Sequence, residues 1–411
     1  MATDDRTSAY VWVWLPDATE PAVAGRLDET AESGLITFTY GRSYLRRGDA
    51  IALFLPDLPL ESAVHYPVSG QVPGPIADAS PDAWGRRVIE NRNAAKGRTS
   101  DLGPVEVLLE SGSNRVGALD FQASSETYVP RLGGTATLDE LAEAAERIEA
   151  GQPLPPALDD ALLHGSSIGG ARPKAVLADG DRELIAKFAS STDTYPVVQA
   201  EFLAMRLAAD AGLDVAPVQI TSVRGRHVLL VERFDRPGGG RRRAVVSALT
   251  ILGLSELDYR VASYADLADR IRSRFADPTR TLRELFARIT FNILVGNNDD
   301  HARNHAAFWG GSELALTPAY DICPQPRAGG ETAQAMAIGR DGYRYAQLTG
   351  CVTRADVYLL NETDARGIID RQIDAIQTHL ADACDSAQLT AIDRARLWQR
   401  QIMNPYALEG Y

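Results

Sequence analysis

The stretch NNDDHARN, residues 297–304, decides how the rest of this sequence is interpreted. Two adjacent acids follow a long apolar pattern with helical spacing, and a His and an Asn come after them. Asp299 and Asn304 have the spacing of the base and the metal-binding Asn in the protein-kinase catalytic loop, H-R-D-x-x-x-x-N. Asp300 would pair in the same way with His305, although Mg²⁺ prefers oxygen to an imidazole nitrogen. The spacing favours Asp299 as the base; the alternative is a polar end to the preceding helix.

Phosphoryl transfer also needs a second carboxylate on the metal, because catalysis depends mainly on charge neutralisation and in-line positioning. The segment ALTPAYDICP, residues 315–324, supplies Asp321 between Tyr320 and Ile322. We predict that Asp321 lies on a strand-like segment and binds Mg²⁺ together with Asn304. His301 has two interpretations, a hydrogen-bonding group that supports the loop or a satisfied core histidine.

The parts that precede this stretch come in the order found in protein kinases. A Gly/Ser-rich turn, residues 164–170, is followed by two strands around an Asp-Gly turn, then a helix, then two more strands. Lys187 lies in the second strand, where a charge is costly unless a partner neutralises it. Glu201 in the helix is the natural partner, and such a pair places the amine over the α- and β-phosphates of ATP. The alternative is a Lys whose stem reaches the surface.

The segment VLLVERFDR, residues 228–236, ends the last of these strands. In a kinase-like fold this is where the two lobes join and where backbone groups contact adenine. Glu232 and Phe234 are therefore candidate ATP-binding residues. Phe234 could pack against the purine, and an aromatic residue of the interlobe core is the alternative.

Residues 9–55 contain three candidate strands, YVWVWLP, LITFTYG and AIALFLP, which predict a small sheet. A helix follows them, for which Ser80 is the predicted cap and Pro81 the first-turn residue. Thr137 and Glu140 form a capping box at the start of another predicted helix. Helical patterns dominate beyond residue 245.

Composition restricts the class of protein. The chain has 411 residues and a formal charge of −13, so its field would repel a phosphate backbone and disfavours direct binding of nucleic acid. The basic run at residues 241–243 is most simply a solvated loop. No signal peptide or membrane span is evident, which predicts a cytoplasmic protein without a membrane partner. Three widely spaced cysteines predict buried free thiols.

Five motifs in one order, SSIGGARPKAVL, AKF, VERFDR, NNDDHARN and LTPAYDI, make the sequence resemble the HipA family, the serine/threonine kinase toxins of type II toxin–antitoxin systems. The resemblance implies an α+β, bilobal kinase-like fold with a small β-rich N-terminal subdomain and an all-helical C-terminal lobe. We assign residues 1–125 to the N-terminal HipA-type subdomain (front subdomain below). Residues 126–240 form an N-lobe-like α/β region with the Gly-rich loop (N-lobe), and residues 241–411 form the helical C-terminal lobe (C-lobe).

The resemblance also implies ATP and Mg²⁺ as cofactors and transfer of the γ-phosphate to a protein hydroxyl. ATP would contact the loop at Ser167, Ile168, Gly169 and Gly170. The family phosphorylates its own loop Ser, which silences the enzyme; Ser167 holds that place, and the adjacent Ser166 is the alternative. A HipB-like, DNA-binding antitoxin is the implied partner, so that DNA is reached only through it. The implied substrate is a translation component, such as an aminoacyl-tRNA synthetase.

Two other functions are compatible with these residues. Small-molecule phosphotransferases share the Asp-x-x-x-x-Asn loop, although such an enzyme has no evident need of the front subdomain. A corepressor or binding module with a merely structural nucleotide site is the other hypothesis, and the complete set of catalytic residues counts against it.

Overall fold

Antiparallel sheets and helices build the computed structural model, which describes residues 7–30, 33–98, 102–132, 136–155, 158, 172–327 and 329–411. The strands are β1 (Ser8–Val13), β2 (Ala22–Glu29), β3 (Ile36–Tyr40), β4 (Val64–His65), β5 (Leu119–Gln122), β6 (Lys174–Asp179), β7 (Arg182–Phe188), β8 (Val218–Val223), β9 (Arg226–Glu232), β10 (Val245–Ser247), β11 (Ala306–Trp309) and β12 (Leu314–Leu316). The α-helices with described bounds are α1 (Arg42–Leu45), α2 (Gly74–Asp78), α3 (Ala83–Ala95), α4 (Pro104–Glu110), α5 (Leu138–Glu149), α6 (Val197–Asp210), α7 (Ala248–Leu252), α8 (Tyr264–Arg274), α9 (Pro278–Val295), α10 (Leu348–Thr353), α11 (Glu362–Ser386), α12 (Ala391–Leu397) and α13 (Pro405–Leu408).

The front subdomain is built on a sheet in the order β4-β3-β2-β1-β5. Two predicted strands are confirmed as β1 and β3. Strand β2 was not predicted, because Gly25 and the charged residues of this strand give it a low strand propensity. A Cβ at Gly25 would lie 2.2 Å from the carbonyl oxygen of Thr39, so only glycine allows this close approach to β3. The third predicted strand, residues 50–56, is wrong. Its Leu53 backbone N–H donates to the side-chain hydroxyl of Tyr40 at 2.8 Å and not to a backbone carbonyl of a neighbouring strand.

Helix α3 begins two residues later than predicted. Asp82, not Ser80, caps it, because the Asp82 carboxylate accepts a hydrogen bond from the backbone N–H of Gly85 at 2.9 Å. The Ser80 hydroxyl donates instead to the carbonyl of Ile76. The capping box of α5 is confirmed, with Thr137 at the cap and Glu140 at the third helical position.

The N-lobe sheet has the order β6-β7-β9-β8, and the predicted hairpin is confirmed as β6 and β7. Helix α6 follows β7, as predicted, and ends just before Gly212, which has a positive φ. Most of the α6 side chains are buried, and one of them is the charged Glu201. Burial of a carboxylate in a mostly apolar helix indicates a partner of opposite charge.

The C-lobe is mainly helical, but the expectation of an all-helical lobe is wrong. Strands β10, β11 and β12 form a three-stranded antiparallel sheet within it, and β10 and β11 pair Ser247 with Ala306. All of β11 is buried, so its sequence AAFW has no alternation by which a strand could be recognised. Strand β11 of this sheet begins at Ala306, two residues after the stretch 297–304 ends.

An ionic network joins the front subdomain to the connection between the lobes. The Asp235 carboxylate accepts hydrogen bonds from Arg233, from Arg236 and from the backbone N–H of Gly117. Burial alone would raise the pKa of Asp235, but the two arginines hold it below its usual value. Arg236 also donates to the carbonyl of Arg115. Removing one partner would leave buried charges unpaired, so the interlobe connection is fixed by the front subdomain.

The basic run at residues 241–243 is not a simple solvated loop. The Arg242 guanidinium lies 3.6 Å from the ring centroid of Trp14, and that of Arg243 lies 3.3 Å from the ring of Phe308. Only Arg241 matches the prediction, as an exposed side chain without an aromatic contact in the described part of the chain. Aromatic faces attract guanidinium groups, so two arginines are used for packing.

All three cysteines, Cys323, Cys351 and Cys384, are buried and free, as predicted. Within the described ranges, no helix has the length and apolar character that crossing a membrane requires.

The end of α9 generates a stability prediction. Gly296 caps this helix with φ +74°, and a Cβ there would lie 2.6 Å from the backbone oxygen of Gln401. Gly253 caps α7 with φ +71°, but its nearest neighbour would be a Val68 methyl at 3.5 Å. We expect Gly253→Ala to cost about 1–2 kcal/mol for the left-handed backbone alone. We expect Gly296→Ala to cost about 1–3 kcal/mol more, because backbone must move.

Chemical denaturation of both variants measures this difference. Equal losses in the free energy of unfolding would contradict the close approach of Gly296 to residue 401.

Candidate active site

Lys187 lies at the centre of the candidate site. Its Nζ donates to Glu201 Oε1 at 2.5 Å and to Asp321 Oδ1 at 2.5 Å, and its side chain is 16% exposed. Burial alone would lower the pKa of Lys187, but Asp321 and Glu201 raise it above its usual value. The structure therefore brings together three of the predicted site residues: Lys187 and Glu201 from the N-lobe and Asp321 from the C-lobe.

Asp321 does not lie on a strand, contrary to the expectation. The preceding Ala319 makes an isolated bridge to Val215, and Asp321 itself has φ +60°. Left-handed backbone is uncommon for residues other than glycine, and Asp is one of those that tolerate it. Strained residues of this kind persist where the surroundings determine them, often at functional sites. Here the contact with Lys187 holds the carboxylate.

Asp300 is a structural anchor of the catalytic-loop candidate. Its buried carboxylate accepts hydrogen bonds from the Tyr264 hydroxyl at 2.5 Å, from Asn292 Nδ2 at 2.8 Å and from His305 Nε2 at 2.9 Å. Burial alone would raise the pKa of Asp300, but His305 and these hydrogen bonds lower it. The arrangement agrees with the preference for Asp299 over Asp300 as the base.

Asp299 is exposed, and its carboxylate makes no hydrogen bond with the described residues. Partial loss of solvation raises the pKa of Asp299; His301 opposes the shift, and the neighbouring Asp321 and Asp300 add to it. The carbonyl oxygen of Asp299 accepts a hydrogen bond from Asn304 Nδ2 at 3.4 Å. Asp299 therefore has the free carboxylate and raised proton affinity that a general base needs.

His301 precedes the short 3₁₀ helix Ala302–Asn304 and is half-buried. Its ring makes no hydrogen bond within the described part of the chain, so neither of the two interpretations is supported by a contact. The charge of His301 acts to lower the pKa of Asp299 and that of Asp321. The loop itself is held by Tyr320, whose hydroxyl donates to the carbonyl of Arg303 at 2.6 Å.

Each of the two predicted metal ligands has one side-chain oxygen available to a hard cation. Asn304 uses its amide nitrogen for Asp299, and its Oδ1 has no partner among the described residues. Asp321 uses Oδ1 for Lys187, and its Oδ2 is likewise without a described partner. The described residues contain no cluster of three His, Cys, Asp or Glu side chains arranged to hold a metal. Mg²⁺ suits such a site, because it takes one or two protein oxygens and completes its shell with phosphate and water.

Glu232 and Phe234 lie where β9 ends and the lobes join. The Glu232 carboxylate lies 3.5 Å from Arg182, near the surface. The Phe234 ring centroid lies 5.7 Å from those of Phe308 and Tyr320, so the ring belongs to an aromatic cluster beside Asp321. Its backbone N–H has no protein acceptor among the described residues. That donor is available to adenine, although the ring packing agrees equally with an interlobe core residue.

The Gly-rich loop lies outside the described residues. This applies to Ser166, Ser167, Ile168, Gly169 and Gly170. Arg172, two residues after Gly170, is held by Asp193, because its guanidinium donates two hydrogen bonds to the Asp193 carboxylate, at 3.0 and 2.7 Å.

Sequence reasoning missed two groups of residues at the site. Lys174 is buried directly opposite Lys187 in the hairpin, and its register could have been counted from the turn at Gly180. Its partner Asp82 comes from the front subdomain, and no local pattern indicates that contact. The same holds for Tyr264 in the Asp300 network, which reaches the loop from a separate helix.

Comparison with known proteins covers both halves of the chain. Residues 166–404 match the profile of the HipA-like C-terminal domain, and residues 13–122 match that of the HipA N-terminal domain. A Sinorhizobium fredii protein with the name "Putative kinase Y4mE" is 32% identical over 49% of this chain and 57% of its own. The serine/threonine-protein kinase toxin HipA of Shewanella oneidensis is 29% identical over 38% of this chain and 42% of its own. The chain thus spans about half the length of the curated relatives that it matches.

A solved structure covers far more of the molecule. The Shewanella oneidensis MR-1 complex of HipA, HipB and operator DNA contains a chain that aligns over 92% of this chain and 94% of its own. The TM-score is 0.69 and the identity 22%, so the likeness is one of fold. The predicted α+β, bilobal kinase-like fold and the predicted family are both confirmed. The C-terminal domain profile alone spans more than half of the residues, and the chain belongs to the HipA family.

Proposed function

We propose that this chain is an ATP- and Mg²⁺-dependent serine/threonine protein kinase and the toxin of a type II toxin–antitoxin pair. The observation that carries the proposal is the pairing of Lys187 with both Glu201 and Asp321, with the free carboxylate of Asp299 in electrostatic range. A buried lysine with two carboxylates is ready to exchange one of them for phosphate oxygens. The relatives that are named as kinases support the same activity.

Lys187 is proposed to bind the α- and β-phosphates, and Glu201 to hold the amine in place. Asp321 also pairs with the amine. Asn304 and Asp321 would hold Mg²⁺, which neutralises phosphate charge when it is bound. The uncommitted oxygens Asn304 Oδ1 and Asp321 Oδ2 support this assignment.

Asp299 is proposed as the catalytic base. It accepts the proton of the substrate hydroxyl while the hydroxyl oxygen bonds to the γ-phosphorus and the bond to the β–γ bridging oxygen breaks, releasing ADP. A raised pKa suits this role, because it increases the affinity for the incoming proton. Asp300 holds the loop that carries Asp299, and His301 tunes the charge around it.

Adenine is proposed to bind at the interlobe connection, at the backbone of Glu232 and Phe234. The free N–H of Phe234 supports this contact. Ser167, Ile168, Gly169 and Gly170 would cover the phosphates. Ser167, or alternatively Ser166, is the proposed site of autophosphorylation, which would silence the kinase.

The proposed partner is a DNA-binding antitoxin like HipB, and DNA would be reached only through it. The net charge of −13 supports an indirect contact with DNA. The proposed substrate is a translation component, such as an aminoacyl-tRNA synthetase, in the cytoplasm.

Intact-protein mass spectrometry tests the kinase activity. After incubation with ATP and Mg²⁺, we expect the wild type to gain one phosphate, mapped by peptide analysis to residues 160–175. Asp299→Asn should gain none, because no base accepts the hydroxyl proton, and EDTA should abolish the gain in the wild type.

A gain in Asp299→Asn equal to that of the wild type would exclude Asp299 as the base. If neither the wild-type chain nor lysate proteins are labelled, the protein-kinase proposal fails. ATP consumption stimulated by an aminoglycoside without protein labelling would favour the small-molecule phosphotransferase instead.

Thermal and chemical unfolding separate the roles of the two adjacent acids. Asp299→Asn should abolish activity and change the free energy of unfolding by less than about 0.5 kcal/mol, as for an exposed residue. Asp300→Asn, a matched change one residue away, should cost about 2–4 kcal/mol, because it disturbs three buried hydrogen bonds to a charged carboxylate. Equal stability of the two variants would contradict the anchoring role of Asp300.

A further inference from the structure

The segment of residues 78–82, called the bridging segment here, contacts both lobes of the candidate kinase. It belongs to the front subdomain and connects α2 to α3. Its first residue, Asp78, binds the C-lobe, and its last, Asp82, binds the N-lobe. Because the candidate site pairs Lys187 of the N-lobe with Asp321 of the C-lobe, a segment fixed to both lobes can determine the geometry of that site.

At the N-lobe end, Asp82 binds Lys174, which follows the Gly-rich loop in the sequence. Asp82 Oδ2 accepts a hydrogen bond from Lys174 Nζ at 3.2 Å, and both side chains are buried. The indole N–H of the fully buried Trp84 donates to the Lys174 carbonyl at 3.1 Å. Both the backbone and the side chain of Lys174 are thus held by the front subdomain.

Lys174 shares a sheet face with Lys187. The two residues are direct partners in the β6–β7 ladder, so their side chains project from the same side. Lys174 is 2% exposed, and burial lowers its pKa to about 8, with Asp82 opposing the shift and Lys187 adding to it. Two further charges act on the Asp82–Lys174 pair: Asp321 raises the pKa of Lys174, and Arg303 lowers the pKa of Asp82. Two neighbouring buried amines repel each other, and Asp82 supplies the charge that keeps Lys174 protonated in place.

At the C-lobe end, Asp78 binds the residue where β10 meets α7. Its carboxylate accepts hydrogen bonds from the backbone N–H of Ser247 at 2.8 Å and from its hydroxyl at 2.6 Å. The next residue, Ala248, donates its N–H to the carbonyl of His305 at 2.7 Å. His305 follows Asn304 directly, so this anchor lies beside the candidate metal site.

We propose that Asp82 is a positioning residue through which the front subdomain sets nucleotide affinity, by holding Lys174 on the phosphate-facing side of the N-lobe sheet. Asp78 fixes the bridging segment to the C-lobe, so that Asp82 holds Lys174 relative to the catalytic loop. The inference rests on the proposed nucleotide site. It adds a role for the front subdomain in the kinase reaction itself.

Asp82→Asn isolates the charge. Asn caps helices about as well as Asp, so this substitution keeps the start of α3 and removes only the carboxylate that pairs with Lys174. The matched control is Asp277→Asn, because Asp277 is an Asp cap at the start of α9 and is exposed. The readouts on the full-length chain are the dissociation constant for ADP with Mg²⁺ by calorimetry, the KM for ATP, kcat and the unfolding midpoint.

We expect Asp82→Asn to weaken ADP binding and raise the KM for ATP about tenfold, with kcat changed less than threefold. The unfolding midpoint should stay within a few degrees of the wild type, and Asp277→Asn should change neither constant by more than twofold. Asp82→Glu, which restores the charge, should recover most of the affinity. If Asp82→Asn does not fold, Asp82→Ser provides the same test with another good capping residue.

A double-variant cycle shows whether Asp82 acts through Lys174. In the Lys174→Met background, Asp82→Asn should change ADP affinity less than twofold. The proposal would be overturned if the fold-changes in ADP affinity caused by Asp82→Asn and Lys174→Met simply multiply in the double variant. It would also be overturned if the Asp82→Asn protein binds ADP as tightly as the wild type does. Failure of the proposed function looks different: a wild type that binds ADP but transfers no phosphate refutes the kinase and leaves the cycle measurable. A wild type that binds no nucleotide refutes both.

Discussion

The ammonium group of Lys187, held between two carboxylates, is the interaction on which the arrangement of the candidate site depends. A lysine buried in a sheet is costly unless opposite charge meets it, and here the charge comes from Glu201 in α6 and Asp321 in the C-lobe. The pairing fixes α6 against the N-lobe sheet and holds Asp321 in left-handed backbone. It also joins the N-lobe to the C-lobe, which carries Asp299.

The front subdomain belongs to this machinery through two sets of buried charges. Asp235 and its arginines tie the interlobe connection to Gly117, and Asp82 ties the strand after the Gly-rich loop to α3. In each case an acid neutralises a basic group that is buried with it, so neither partner can leave without an unpaired charge. The geometry of the candidate site and of the interlobe connection is therefore set partly by residues outside the two lobes.

Much of the site could be predicted because its signals are local. Asp299 and Asn304 are related by a short spacing, and Lys187 and Glu201 stand out as charges in apolar elements. The capping box of α5 is similarly local. The rest depends on contacts between distant segments or on elements without a pattern. Asp82, the cap of α3, also binds Lys174 in another part of the chain. Strands β10–β12 are too short to show a periodicity, and β11 is buried throughout. The Asp300 network likewise forms only when α8 packs on α9.

A crystal structure of the chain with Mn²⁺ and a non-hydrolysable ATP analogue, with the metal located by its anomalous scattering, tests this site most directly. We expect a metal peak bounded by Asn304 Oδ1 and Asp321 Oδ2. We also expect Lys187 to contact the α- and β-phosphates and the γ-phosphate to point toward Asp299. A nucleotide bound elsewhere, or a metal held without Asn304 and Asp321, would refute the proposed roles of these residues.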